Sequence, residues 1–350
     1  MGVVKSSGSV YNCVVIKYEE KNMHIPENYL SPSTCAVAAA AMAPVWGYCI
    51  AKVKKKVTKE KLPLIGIAAA FSFLAMMFNI PLPGGTTGHA VGGTFVAILL
   101  GPEAACISVS VALLIQALLF GDGGILCFPA NCFNIAFVLV FAGYWTYKLM
   151  CFLLKKVKSQ VFVKYFSAAL GSYVGINAAA LLTAVEFGIQ PYLFTDAAGN
   201  AMYCPYPLSV SVPAMMIGHL TLFGLAEVVF TLGMLAFVNS AAPGIGGEQE
   251  KPKLKYIYMG MGALTLAAPL GLLAVGDAWG EWAYEDFTSL VGYVPSGMKG
   301  WSLESIFPDY SVGNMPEWIG YIISAVIGCA VLVIVFKLIS LVKPLKGEKK

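Results

Sequence analysis

Long apolar runs, each close to the length of a membrane-crossing helix, alternate with short polar breaks along the chain. They lie at 32–51, 62–80, 103–120, 130–154, 163–186, 209–239, 256–275 and 318–342. Crossing ~30 Å of hydrocarbon takes ~20 helical residues, and an unpaired backbone group in lipid is costly, so each run predicts a membrane helix. A shorter run, 88–100, follows the glycine-rich "PGGTTGHAVGG" and predicts a short or tilted span. The fold class expected from this pattern is an all-α integral membrane protein.

The polar breaks carry the orientation. Lysines cluster at 52, 54, 55, 56, 59 and 61, at 148, 155, 156, 158 and 164, at 251, 253 and 255, and at 343, 346, 349 and 350. Placing every cluster in the cytoplasm requires 88–100 to cross as well, which gives nine spans with the N-terminus outside and the C-terminus inside. The loop 276–315 then lies outside, and it is acidic: Asp277, Glu281, Glu285, Asp286, Glu304 and Asp309 against the single Lys299. The stretch "SAAPGIGGEQEKPKLK", 240–255, reads as a cytoplasmic linker rich in Gly, Pro and charge. It divides a seven-span unit, 23–239, from a two-span unit, 256–350, with a large outside loop. The first 22 residues lack the apolar run and small-residue cleavage site of a secretory signal. They are expected to be a leader or tail outside the mature fold, with the true start at Met23.

Composition agrees with a membrane protein: of 350 residues, 58% are hydrophobic and 12% charged, half the charge of a soluble domain. A dispersed net charge of +4 argues against nucleic acid as a partner. Nine scattered cysteines form no CxxC pair, and buried hydrophobic roles compete with thiolate ligation. No GxxxxGK[ST] is present, so ATP is not bound by a P-loop of this chain, and neither HExxH nor GxSxG occurs. An enzyme is not expected.

Histidine is scarce, with only His24, His89 and His219. His24 and His89 fall on the same outer face in the predicted topology, where a polar-loop role and a ligand role are both open to them. A free amine on Met23 would sharpen the chemistry. That amine, the deprotonated amide nitrogen of His24 and its imidazole close two fused chelate rings, and a nitrogen from His89 completes a plane suited to Ni(II) or Cu(II). Asp122, Asn131 and Asn134, in "FGDGGILCFPANCFN", face the same side and are candidates to orient the histidines, or are turn residues. His219 and Glu227 share a helix face in span seven, with Gln116 in span four a weaker case. They are candidates for outer groups of the site, for a proton relay in a stand-alone secondary transporter, or for interhelical hydrogen bonds. In span one, Ala36/Ala40 and Ala39/Ala43 make a small-residue face suited to docking another helix.

The segments "MHIPENYLSP", "GTTGHAVGGTFVAILLGPEAA" and "QALLFGDGGILCFPANCFNIAF" resemble the substrate-specificity (S) component of nickel/cobalt energy-coupling-factor (ECF) transporters, the NikM/CbiM type. The likeness runs from Met23 to about residue 240. Beyond the linker, "APLGLLAVGDAWGEW" and "FPDYS" look like the small auxiliary membrane subunit of such systems (NikN-like), fused in one chain. The resemblance implies a seven-helix S component that captures Ni(II) or Co(II) as its transported ligand, held by Met23, His24 and His89, with no resident cofactor. It also implies a transmembrane coupling (T) subunit and two cytoplasmic ATPase subunits as partners, the alanine face of span one being the coupling contact. One departure stands out: the family begins at the methionine matching Met23, and a preceding peptide would remove the amine ligand.

Overall fold

Ser31 starts the first helix: its hydroxyl accepts the Thr34 N–H at 3.1 Å, and Pro32 follows in the first turn, where a missing N–H is harmless. This helix, α1, runs over Pro32–Lys56 and ends on Lys54, Lys55 and Lys56, which favour the negative end of the helix dipole. In this computed structural model the described residues are 24–58, 61–82, 86–241, 254–274, 278–280, 282 and 286–342. The expected leader with Met23, and most of the linker, lie outside them.

The remaining long elements are α2 (Leu62–Met76), α3 (Gly93–Leu100), α4 (Pro102–Phe120), α5 (Phe128–Leu153), α6 (Gln160–Leu193), α7 (Leu208–Ala241), α8 (Leu254–Leu273) and α9 (Glu317–Val342). Among the described residues, α1 and six of these are long and apolar enough to cross a membrane, and α2 is shorter at 15 residues. α2 is apolar around nearly its whole circumference because it is the central helix, enclosed by α4, α9 and α3. The two C-terminal helices pack against the bundle. Tyr321 of α9 donates its hydroxyl to the Met77 carbonyl at 2.9 Å, and Phe336 lies against Gly66 of α2.

Two expected spans are built differently from the sequence reading. The run 62–80 stops being helical at Met76, and β1 (Asn79–Leu82) pairs antiparallel with β2 (Thr86–His89), with Asn79 opposite His89. The run 88–100 is therefore half strand and half helix. Gly92, at φ +70°, makes the left-handed turn between β2 and α3 that a side chain would disfavour. At ~1.5 Å per residue α3 spans only about 12 Å. The segment nevertheless runs from one end of the bundle to the other. At one end His89 lies beside His24, and at the other Glu103, just past α3, meets Lys56 at 3.5 Å. Non-helical backbone at this depth is tolerated because protein, not lipid, surrounds it.

α3, α5 and α6 cross closely through glycines. A Cβ on Gly171 would lie 2.6 Å from the Gly143 carbonyl oxygen, and one on Gly175 would lie 2.6 Å from that of Leu139. Backbone cannot rotate out of the way as a side chain can. Gly171→Val is expected to lower the unfolding temperature in detergent by an amount matching ~1–3 kcal/mol of overpacking. Gly233→Ala, where nothing lies within 4 Å, is expected to leave it unchanged or slightly raised. Equal melting of the two variants would contradict the tight crossing.

Candidate metal site

Residues 24–31 are polar-flanked and have no helical pattern, yet they are threaded into the bundle and mostly buried. Side chains from distant helices replace the hydrogen bonds that a helix would have supplied. Asn131 accepts the Ile25 N–H at 3.0 Å and donates to the Ile25 carbonyl at 3.2 Å, a reciprocal clamp. The Glu27 carboxylate accepts the Ile125 N–H at 2.6 Å and that of Leu126 at 3.1 Å. Burial raises the Glu27 carboxyl above its ordinary range, and those backbone donors pull it part of the way back. Gln190 of α6 takes the Ser31 N–H at 3.1 Å, and the Cys204 N–H donates to the Tyr29 carbonyl at 3.0 Å.

This clamping delivers His24, only 2% exposed, to the bundle interior. Its Nδ1 is 2.8 Å from Asp122 Oδ1, and its Nε2 is buried without a hydrogen-bond partner. The His89 ring comes from the hairpin to a centroid distance of 5.1 Å from that of His24, at an interplanar angle of 51°. Both line a cavity of about 90 Å³, room for several waters, together with Asn131, Thr183, Met215, His219 and Trp279. The imidazoles and an oriented carboxylate suit a borderline divalent cation. A fused chelate through the His24 amide needs Nδ1, the ring nitrogen nearest its own backbone. An ion bound that way would take the place that Asp122 holds on this ring.

Wide π-helical turns occur where the helices meet the site. They run over Gln116–Phe120 in α4, Cys132–Leu139 in α5 and His219–Phe223 in α7. Such turns re-aim side chains that a regular helix would point elsewhere, and they are frequent at functional sites. The first leads into Gly121 and Asp122, and the third begins at His219, on the cavity wall.

The other residues singled out in the sequence separate. Asn134 turns away from the histidines, donating to Thr183 Oγ1 at 3.0 Å and to Glu186 Oε2 at 2.7 Å on α6. His219 shares the cavity, with Nδ1 2.8 Å from the Met215 carbonyl. Glu227 accepts the Val91 N–H at 2.7 Å and the Gly92 N–H at 3.1 Å, so it braces the turn just after His89. Among the described residues no hydrogen bond joins His219 to Glu227. Met23 lies outside them. Ala36, Ala40 and Ala43 are exposed on α1 and Ala39 is half-buried.

Sequence reasoning missed Glu27, Gln190 and Tyr310. Tyr310 donates its hydroxyl to Asp122 Oδ2 at 2.6 Å, across a separation of 188 residues. Such partners leave no local signal. An acidic residue beside buried chain, as at Glu27, is the nearest thing to one.

Residues 24–245 match the family model "Cobalt uptake substrate-specific transmembrane region", CbiM, and residues 253–344 match the PDGLE domain. The fused nickel transport protein NikMN of Rhodobacter capsulatus is 45% identical over 337 residues, covering 89% of this chain and 95% of that protein. The cobalt transport protein CbiM of Ruminiclostridium cellulolyticum is 31% identical over 182 residues, covering 51% of this chain and 69% of that protein. A crystal structure of a truncated transition metal transporter is similar at a TM-score of 0.57 and 54% identity, covering 62% of this chain and 98% of its own. With its first two-thirds matching this model and its helices arranged as described, the chain belongs to the CbiM family of substrate-specific transmembrane metal-uptake proteins.

Proposed function

We propose that this protein captures Ni(II), or Co(II), from outside the cell at His24 and His89 and carries it across the membrane as the substrate-specificity subunit of an ATP-driven ECF importer. The observation that carries the reading is the meeting of the two imidazoles, 5.1 Å apart, in one cavity, with a carboxylate on the first. Met23 supplies the amine nitrogen when it is the first residue of the chain. The fourfold nitrogen plane this makes favours nickel. The nickel relative's likeness over 89% of the chain, against 51% for the cobalt relative, supports the same ion.

Energy comes from partners: a transmembrane coupling subunit and two cytoplasmic ATPases. Ala36, Ala40 and Ala43, with Gly47 beyond them, leave one open small-residue face on α1 for the coupling subunit, since no heavy atom lies within 4 Å of a Cβ built on Gly47. The lysine-rich end of the bundle faces the cytoplasm in this reading.

Liposome reconstitution tests it. The chain alone is expected to give no concentrative nickel uptake under an imposed proton gradient. Addition of the coupling and ATPase subunits with internal ATP is expected to give it. Proton-driven accumulation by the chain alone would overturn the assignment in favour of a stand-alone transporter.

A further inference from the structure

We propose that Cys35 and Cys127 are a disulfide-forming pair, which staples the root of the His24-bearing segment to the root of α5. The inference does not use the metal reading. It takes from the proposed function only which end of the bundle faces out. The two sulfurs lie 3.8 Å apart, although the residues are separated by 92 positions. Bonding brings sulfurs to about 2.05 Å, an approach that two rotating side chains can make. Both thiols sit in one buried cluster with Ile25, Tyr29, Leu30 and Ala130, at the end of the bundle that holds His24.

Each cysteine stands at the foot of a structure that grips residues 24–31. The Cys35 N–H donates to the Ser31 carbonyl at 3.0 Å in the first turn of α1, directly beyond that segment. The Cys127 carbonyl accepts the Asn131 N–H at 2.9 Å, and Asn131 is the residue that clamps Ile25. Leu126, next to Cys127, donates its N–H to Glu27. A disulfide here makes covalent a junction that hydrogen bonds already draw together, and long closed loops restrict the unfolded chain most.

The chemistry balances simply. Each thiol gives up one proton and one electron as the S–S bond forms. An oxidant of the disulfide or diazene class takes both electrons and both protons, and becomes a dithiol or a hydrazine. Cys35 is 2% exposed and Cys127 0%, so the oxidant meets them before α1 docks or during opening. The same burial then keeps reductants from the finished bond. A second pair, the hydrogen-bonded Cys49 and Cys106, provides the comparison. It lies toward the other end of the bundle, where α1 closes on its lysines and Glu103 meets Lys56. In the proposed orientation that end faces the cytoplasm, where thiols are kept reduced.

The test maps disulfides in the full chain. Cells grown in air are quenched with acid, free thiols are blocked with N-ethylmaleimide, and peptides are mapped without reduction. A peptide pair joined through Cys35 and Cys127 is expected, with Cys49 and Cys106 blocked. The purified, reduced chain is then treated with diamide in detergent. The same Cys35–Cys127 link is expected to form, with a rise of a few degrees in unfolding temperature. That rise is expected to shrink in Cys35→Ser and in Cys127→Ser. It is expected to persist in Cys204→Ser, whose sulfur lies in the same cluster but has no part in the bond. The mapping uses the unaltered chain, so the inference stays exposed to refutation if a serine variant fails to fold. Diamide treatment that leaves Cys35 and Cys127 unlinked, or that joins either of them to Cys204, overturns it, as does a chain from cells with both pairs open. Cys49 joined to Cys106 in cells, with Cys35 and Cys127 open until diamide is added, would instead reverse the orientation taken from the proposed function.

Discussion

Alanine at His24 or at His89 is expected to abolish high-affinity nickel binding, each loss exceeding the roughly 10–100-fold that removal of an outer partner costs. Each imidazole comes from a separately anchored segment, one clamped by Asn131 and Glu27 and the other carried on a hairpin. Neither segment therefore slides over to compensate for the other. His219→Ala is the matched comparison. It removes the third imidazole of the cavity, one turned to the Met215 carbonyl, and is expected to leave equilibrium affinity largely intact. Isothermal titration of the chain beginning at Met23 and of the full chain adds a further arm. The free amine is expected to tighten nickel binding, because a peptide nitrogen at that position is a far poorer donor. Undiminished binding in either alanine variant would dismiss the two-histidine site.

Glu227→Ala is expected to be among the most damaging substitutions in the protein. The carboxylate is fully buried and accepts both the Val91 and the Gly92 N–H at the positive end of α3. Truncation orphans two buried donors at ~1–3 kcal/mol each, above the ~0.5–3 kcal/mol of most single changes. The turn it braces also sets where His89 sits, so nickel affinity is expected to fall along with the unfolding temperature. Glu227→Gln keeps an acceptor oxygen and loses the charge, and is expected to fall between the two. An alanine variant with wild-type melting and affinity would show that the turn holds itself.

Hydropathy carried most of the architecture, because a membrane helix announces itself by length and apolarity. The runs that became α1, α4, α5, α7, α8 and α9 end within a few residues of the structural helices. The hairpin escaped that reading. Asn79–Leu82 is apolar enough to pass for the end of a helix, and its strand state is fixed by pairing with Thr86–His89 rather than by its own composition. The site was partly legible for a related reason. Rare residue types in an apolar chain draw attention, which picked out His24, His89 and Asp122. The same rule grouped His219 with Glu227 by helical spacing, whereas the wide turn at His219–Phe223 and the demands of α3 gave them different partners. Tyr310 looked like one aromatic among many, and its partner Asp122 is 188 residues away.

The contacts of Tyr310 with Asp122 and of Ala278 with Thr87 join stretches of one polypeptide. Their strength is therefore measured against an effective concentration rather than against the amount of a second protein in the membrane. For tethered segments that concentration is ~mM, so a contact with an intrinsic dissociation constant of ~10 μM is made about 99% of the time. Two separate chains would need a tighter interface, or a matched supply of both, to keep the histidine pocket equally well ordered. Fusion makes a weak contact sufficient, and it supplies one C-terminal unit for every histidine pocket.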